Sequence, residues 1–179
     1  HNSPNEQSEV KFPIVVERYA LVPDSGGAGR QRGGLGVERV VRARVPMTFN
    51  TQVERAHCKP WGLQGGGEAT GNEAALRLDG KWKTDFPNAK VLVAMLKPGD
   101  AFRLRSGGGG GYGSPLERPV KDVEADAKQG YISVAAAKNF FGVVLDPKTS
   151  EADLDATERL RASMRKALPT SASGRSAGA

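Results

Sequence analysis

Cysteine occurs once in the 179 residues, at Cys58, and histidine only at His1 and His57. A single thiol excludes an internal disulfide, and one Cys beside one His falls short of the ligand set of a zinc site. If residues 57–58 lie in a strand, the two side chains point to opposite faces, which removes both a shared metal and a thiol–base pair. Cys58 is therefore expected to be a buried, inert thiol. Aromatic residues make up only 6% of the chain, too few for the stacking platform of a single-stranded RNA binder. No apolar run approaches the roughly 18 residues that cross a bilayer. The chain opens on His rather than Met, and residues 1–8 carry neither the basic nor the apolar region of a signal peptide, so a cut or processed product is expected. These shortages predict a soluble, cytoplasmic protein with no membrane and no nucleic-acid partner. They leave no residue to name as catalytic or metal-binding.

Charge is plentiful, with 26 Lys and Arg against 20 Asp and Glu for a net +6. The two signs are interleaved along most of the chain, the pattern of a solvated surface rather than of a basic binding face. Residues 9–22 are rich in β-branched and aromatic side chains and read as a strand, with Pro13 marking an edge or bulge. Further strands are expected over residues 37–44, 47–55, 74–78, 89–96 and 101–105, with Asp79-Gly80 as a hairpin turn into residues 81–84.

Beyond residue 114 the period becomes helical. Val120, Val123 and Ala127 share a stripe that Gly130 ends. Ser133 caps a second helix, ended by Gly142, in which Ala136, Ala137, Phe140 and Phe141 are expected to pack inward. Ser150 with Asp153 resembles a capping box that opens a third helix, with Leu160, Met164, Ala167 and Leu168 on one side. The predicted fold is mainly β within the α+β class: an antiparallel sandwich or barrel-like sheet followed by two or three short helices. Residues 1–114 form the β-rich domain, 115–168 the helical segment and 169–179 a low-complexity, disordered tail.

What the chain has in excess is glycine, 23 residues, concentrated in three clusters. Residues 107–111 are five consecutive glycines between a strand and a helical pattern, and Tyr112-Gly113-Ser114-Pro115 follows. Such a backbone, held at both ends, is expected to take positive φ values and to let another group approach closely. Phosphate cradling is a weak reading, because no Lys-Ser or Lys-Thr follows and no acidic residue closes a parallel βαβ unit. The Arg30-Gln31-Arg32 run among glycines suggests RNA, against the scarcity of aromatics. Trp61 is a pocket wall or a core ring, core being the commoner fate. Arg55 is a surface ion pair or a carboxylate clamp.

The three clusters together carry a resemblance. Residues 16–36, ending Pro23-Asp24-Ser25-Gly26-Gly27-Ala28-Gly29-Arg30-Gln31-Arg32-Gly33-Gly34-Leu35-Gly36, then Lys59-Pro60-Trp61-Gly62-Leu63-Gln64-Gly65-Gly66, then Gly108-Gly109-Gly110-Gly111-Tyr112-Gly113-Ser114-Pro115-Leu116-Glu117-Arg118 resemble, in that order, the C-terminal part of the hydantoinase B/oxoprolinase family. The likeness runs from about residue 2 to residue 146.

It implies a piece of the B-type subunit of an ATP-dependent enzyme whose A-type partner phosphorylates or otherwise activates the substrate. Members of the family open cyclic amides such as hydantoins, 5-oxoproline and lactams, and others carboxylate ketones such as acetone and acetophenone. Amide resonance resists water; a phosphate ester at the carbonyl oxygen supplies a leaving group while a metal positions the attacking water. Such subunits are several times longer than this chain, and their metal-binding residues belong to the larger N-terminal portion. The implied partners are that N-terminal remainder, the A-type ATP-binding subunit and a small cyclic amide. The implied cofactors are ATP with Mg on the A-type partner and a divalent metal on the remainder, with none held by this chain.

Cyclic-amide hydrolysis is preferred to ketone carboxylation, and the wording Cys58-Lys59-Pro60-Trp61-Gly62 points to a hydantoinase rather than an oxoprolinase. A noncatalytic assembly protein is the alternative of another class. The candidate residues at the substrate cavity or subunit contact are Gly108, Gly109, Gly110, Gly111, Tyr112, Arg55, Cys58 and Trp61. In a reconstituted enzyme, bulky replacement of Gly109 or Gly110 is expected to lower turnover more than the same change at Gly178, as measured by steady-state kinetics.

Overall fold

The computed structural model describes residues 4–167. His1, the Leu168 assigned to the last helix and the tail over residues 169–179 lie outside the described residues. The elements run in the order α1 (Asn5–Lys11), β1 (Ile14–Leu21), β2 (Val37–Ala43), β3 (Met47–Gln52), β4 (Glu73–Leu78), β5 (Lys81–Lys83), β6 (Lys90–Leu96), β7 (Ala101–Arg105), α2 (Val120–Lys128), α3 (Val134–Phe141) and α4 (Leu154–Ala167). Five strands form one antiparallel sheet in the order β1-β2-β7-β4-β5, and β3 with β6 forms a second, two-stranded one.

The expectation of a mainly β, α+β fold with antiparallel strands holds, and the sheets stay open with no closed barrel. Ala43, Leu76, Phe102 and Leu104 of the large sheet meet Phe49, Val91 and Leu96 of the small one. The Phe49 and Phe102 rings stack with centroids 4.3 Å apart, a geometry that adds to the area they bury.

Local chemistry explains where the strands stop. Residues 9–11 belong to α1, not to the predicted first strand. Pro13 lacks an N–H, and pairing with β2 begins only at Ile14. The corner between β6 and β7 is held by Asp100, whose carboxylate accepts hydrogen bonds from the backbone N–H groups of Lys97 and Asp79 at 2.9 Å each. Those two donors, Lys97 first, hold its pKa below the usual carboxylate range. Asp79 and Gly80, with φ of 48° and 79°, make the predicted hairpin turn, because a two-residue turn of this hand needs φ > 0 at both central positions.

A second core lies among the helices, built from Val123, Ile132, Ala137, Phe141, Val143 and Leu145. The Ser133 hydroxyl accepts from the Ala136 N–H at 3.0 Å, the cap the sequence promised. Gly142 ends α3 at φ 63°, where a side chain would be strained and would also strike the side chains of Arg161 and Met164. Phe140, expected to point inward, is 56% exposed. The cap of α4 is Asp153, which accepts from the Ala156 N–H at 2.9 Å, and not Ser150, which lies outside the helix at φ 57°.

Asp126 ties the two parts together. It sits on the inner side of α2, only 7% exposed, and receives Arg32 Nε at 3.0 Å and the terminal nitrogen of Arg118 at 2.8 Å. Breaking a buried pair leaves an uncompensated charge, here two guanidinium groups. Asp126→Ala is expected to cost about 3 kcal/mol, lowering the melting temperature by roughly 6–12 °C in a chain of this size. Lys128→Ala, which removes an exposed i,i+4 pair with Glu124, is expected to leave the melting temperature essentially unchanged, because solvent screens such a pair. Thermal unfolding followed by circular dichroism measures both.

Candidate functional site

The three glycine clusters converge outside the regular strands. Residues 107–113 run between the other two and bond to both. On one side Gly109 donates to the Gly34 carbonyl at 2.9 Å and accepts from Gly27 at 2.8 Å, while Tyr112 and Gln31 exchange bonds of 3.0 and 2.9 Å. On the other, Gly111 donates to the Gly67 carbonyl at 3.0 Å, Leu63 donates to Gly111 at 2.9 Å and Gly113 donates to Leu63 at 3.0 Å. A ladder of this kind satisfies buried backbone groups that no helix or sheet pairs.

Of the two expected reasons for glycine, close approach holds and positive φ does not. Within the five-glycine run no residue has positive φ, and only Gly113 beyond it does, at 72°. The requirement is the missing Cβ. A methyl group on Gly110 would lie 1.9 Å from the Trp61 carbonyl oxygen, one on Gly33 would lie 1.8 Å from that of Gly109, and one on Gly111 would lie 2.0 Å from that of Ala28. Gly109 is different: its nearest contact would be 3.3 Å, and Gly34 would meet nothing within 4 Å.

Ser25 pins the layer from inside. It is fully buried, its hydroxyl donating to the Val22 carbonyl at 2.6 Å and accepting from Gly36 at 2.8 Å. Asn72 does the same for the start of the glycine run, its Oδ1 accepting from Gly107 at 2.6 Å. Arg32 turns inward to Asp126 and to the Gly33 carbonyl, and Arg118 reaches the Arg30 carbonyl at 3.1 Å. The cation of Arg32 is thus spent on the fold, which weighs against reading this arginine-glycine segment as an RNA-binding one.

Arg55, Cys58 and Trp61 do come together. They line one open cleft of about 470 Å³ with His57, Glu54 and Lys90, and the Arg55 guanidinium lies 5.8 Å from the centre of the Trp61 ring, within cation–π range. Two expectations are corrected here. Trp61 is not core but 67% exposed: its backbone is packed against Gly110, so its side chain is directed away from the layer. Cys58 is exposed rather than buried, because β3 ends at Gln52 and Arg55 takes φ 56°. The strand predicted to residue 55 therefore stops short. His57 and Cys58 sit in a turn, where Lys59 bonds back to the His57 carbonyl, and both face the same cleft.

Gly108, Gly109, Gly110, Gly111 and Tyr112 do not line that cleft. Gly108 and Gly111 are buried and Gly109 is exposed. Gly110 joins the two groups through the Trp61 backbone. Tyr112, 55% exposed, points outward from its two backbone partners. A second cleft, about 370 Å³, separates the glycine layer from α3, with Ala28, Ala69, Ile132, Ala136 and Phe140 on its walls. Phe140 faces this cleft, which accounts for its exposure.

Ser25, Asn72 and Asp126 were not singled out from the sequence. Asp126 left a legible signal, an acid three residues after Val123 on the apolar stripe of α2. Among the described residues no three His, Cys, Asp or Glu side chains gather as metal ligands. No described helix is long and apolar enough to cross a membrane.

Residues 1–115 match the sequence pattern of the hydantoinase B/oxoprolinase family. The chain belongs to that family. Among similar members, an uncharacterized protein of Methanocaldococcus jannaschii is 34% identical over 162 residues, covering 89% of this chain and 28% of its own length. The caprolactamase subunit beta of Pseudomonas jessenii is 33% identical over 150 residues, covering 79% of this chain and 25% of its own. The fold superposes on nucleotide-free acetone carboxylase with a TM-score of 0.80 at 25% identity, covering 94% of this chain and 28% of that one. This hydantoinase B/oxoprolinase chain therefore spans about a quarter of the length of these relatives.

The glycine contacts separate neighbours sharply. Gly110→Ala is expected to destabilise by about 3 kcal/mol, since overpacking against backbone has no flexible end to yield. Gly34→Ala is expected to be neutral or stabilising by up to about 0.5 kcal/mol through the unfolded chain. Urea unfolding of the two variants tests the pair.

Proposed function

We propose that this chain is the C-terminal portion of the B subunit of an ATP-dependent cyclic-amide hydrolase, of the N-methylhydantoinase or oxoprolinase type, and that it completes the active site or a subunit interface rather than catalysing alone. The observation that carries the reading is the glycine layer. Its backbone is cross-bonded on both sides and holds Trp61 and Tyr112 outward as fixed, exposed groups. Rigid aromatics beside a cleft are what a buried contact or a substrate wall needs. Arg55 and Trp61 form that wall, and Gly110 sets its position from behind.

On this reading ATP with Mg is held by an A-type partner, and a divalent metal by the remaining length of the B subunit. The described residues of this chain do not fit a metal, since no ligand set of three gathers among them. The chain's own contribution is positional: it orients and encloses, with backbone that has no side-chain freedom to lose. The relative from Pseudomonas jessenii supports a hydrolase, as caprolactam is a cyclic amide. The second reading, a subunit piece of an ATP-dependent ketone carboxylase, is supported by the likeness to acetone carboxylase.

Assembly of the complete B subunit with an ATP-binding partner tests both. Ring opening of a hydantoin or caprolactam is expected to require ATP and all parts, with none from this chain alone. Trp61→Ala is expected to lower kcat/KM about tenfold, a loss on the scale of one well-placed positioning contact, while circular dichroism stays unchanged. Unaltered turnover in Trp61→Ala and Arg55→Ala would remove the cleft from the site. Bicarbonate-dependent consumption of acetone in place of ring opening would establish the carboxylase reading.

A further inference from the structure

Arg39 is in the wrong place for an ordinary surface arginine. On β2 it shares the face of Val41 and Ala43, and its cross-strand neighbours are Tyr19 of β1 and Leu104 of β7. The carboxylates of this sheet work on the other face: Glu17 pairs with Arg42 and Arg77, and Glu38 and Glu73 pair with Arg103 and Arg105. Arg39 has no ion pair among the described residues, and its Nε is buried with no hydrogen-bond partner. The Tyr19 ring, 5.9 Å from the guanidinium carbon, attracts the charge through its face. A buried donor without an acceptor costs free energy until something supplies one.

A cleft of about 340 Å³ opens beside this guanidinium, walled by Tyr19, Val37, Val53 and Leu104, with Arg105 and Ser106 at its edge and no acidic residue in its lining. Ser106 Oγ accepts from the Val37 N–H at 2.8 Å, which leaves its own hydroxyl proton to donate. The volume sits at the small end of the roughly 300–1,000 Å³ range of ligand pockets.

We propose that this cleft binds a carboxylate carried on a short apolar group. The planar Arg39 fork receives the two oxygens, the Ser106 hydroxyl donates to one of them, and Val37, Val53 and Leu104 hold the alkyl portion. The carboxylate belongs either to a free acid or to an Asp or Glu side chain from the remaining length of the subunit. Val53 also lines the Arg55 cleft, so the two clefts share a wall, but the proposal does not depend on which reaction the enzyme performs.

The test titrates the full chain with hexanoate, and with hexylamine as control, following the methyl resonances of Val37, Val53 and Leu104. Saturable shifts are expected with hexanoate and none with hexylamine. Arg39→Met is expected to weaken hexanoate binding at least tenfold; Val53→Phe, which fills the cleft and leaves the guanidinium in place, is expected to abolish the shifts and serves if Arg39→Met fails to fold. Absence of shifts in the parent chain, or equal binding in Val53→Phe or in folded Arg39→Met, overturns the proposal. The same titration on this chain joined to the rest of the subunit separates the sources: loss of hexanoate binding assigns the carboxylate to a side chain, and retention assigns it to a free acid.

Discussion

Backbone packed directly on backbone is the constraint on which this structure rests. Three loops from distant parts of the chain cross within hydrogen-bonding distance, and at most of the crossings the space of a Cβ is taken by a carbonyl oxygen. Glycine is conformationally expensive in the folded state. Here the cost is offset by a ladder of interloop hydrogen bonds and by close carbonyl contacts that no side-chain packing replaces. The outcome is a loop region with the rigidity of a sheet, which is why Trp61 and Tyr112 are presented rather than absorbed.

The charges follow the same division between scaffold and surface. Glu38 and Asp126 are buried and paired with more than one arginine each, so part of the basic excess is structural. Asp126 couples the helical part to the glycine layer through Arg32 and Arg118, and Arg161 extends the connection from α4 to the Phe141 and Arg118 carbonyls. Losing one link would therefore be felt in the helical core and in the glycine layer together. Arg39 stands apart from this network on the opposite face of the sheet.

Much of the fold was legible from local rules. The Asp79-Gly80 hairpin, the Ser133 cap and the Gly142 stop each depend on residues adjacent in sequence, and each formed where expected. The misplacements have two causes. Residues 9–11 have strand-like composition but precede Pro13, where pairing with β2 cannot yet begin. The strand after Pro46 ends early because the Glu54 and Arg55 carbonyls bond to Asn72 instead of to β6, with Arg55 at φ 56°. Phe140 fits the apolar stripe of α3 but faces a cleft. The first is a local effect of Pro13; in the other two a distant segment outweighed a local preference.

Composition and spacing were enough to establish the antiparallel, mainly β character and the helical ending, because hydrophobic period and turn chemistry are properties of neighbouring residues, while the family likeness came from three motifs that resemble those of known members. They also marked the glycines as special and offered two reasons, positive φ and close approach, without deciding between them. Only the tertiary structure decided that the run needs absent side chains rather than unusual φ, that Arg55, Cys58 and Trp61 share a cleft, that Asp126 is a buried, paired charge and that Arg39 is a half-buried one without an ion pair among the described residues. Those facts depend on which segments approach within a few ångströms of each other, and contact between residues far apart in the chain is what a linear pattern does not encode.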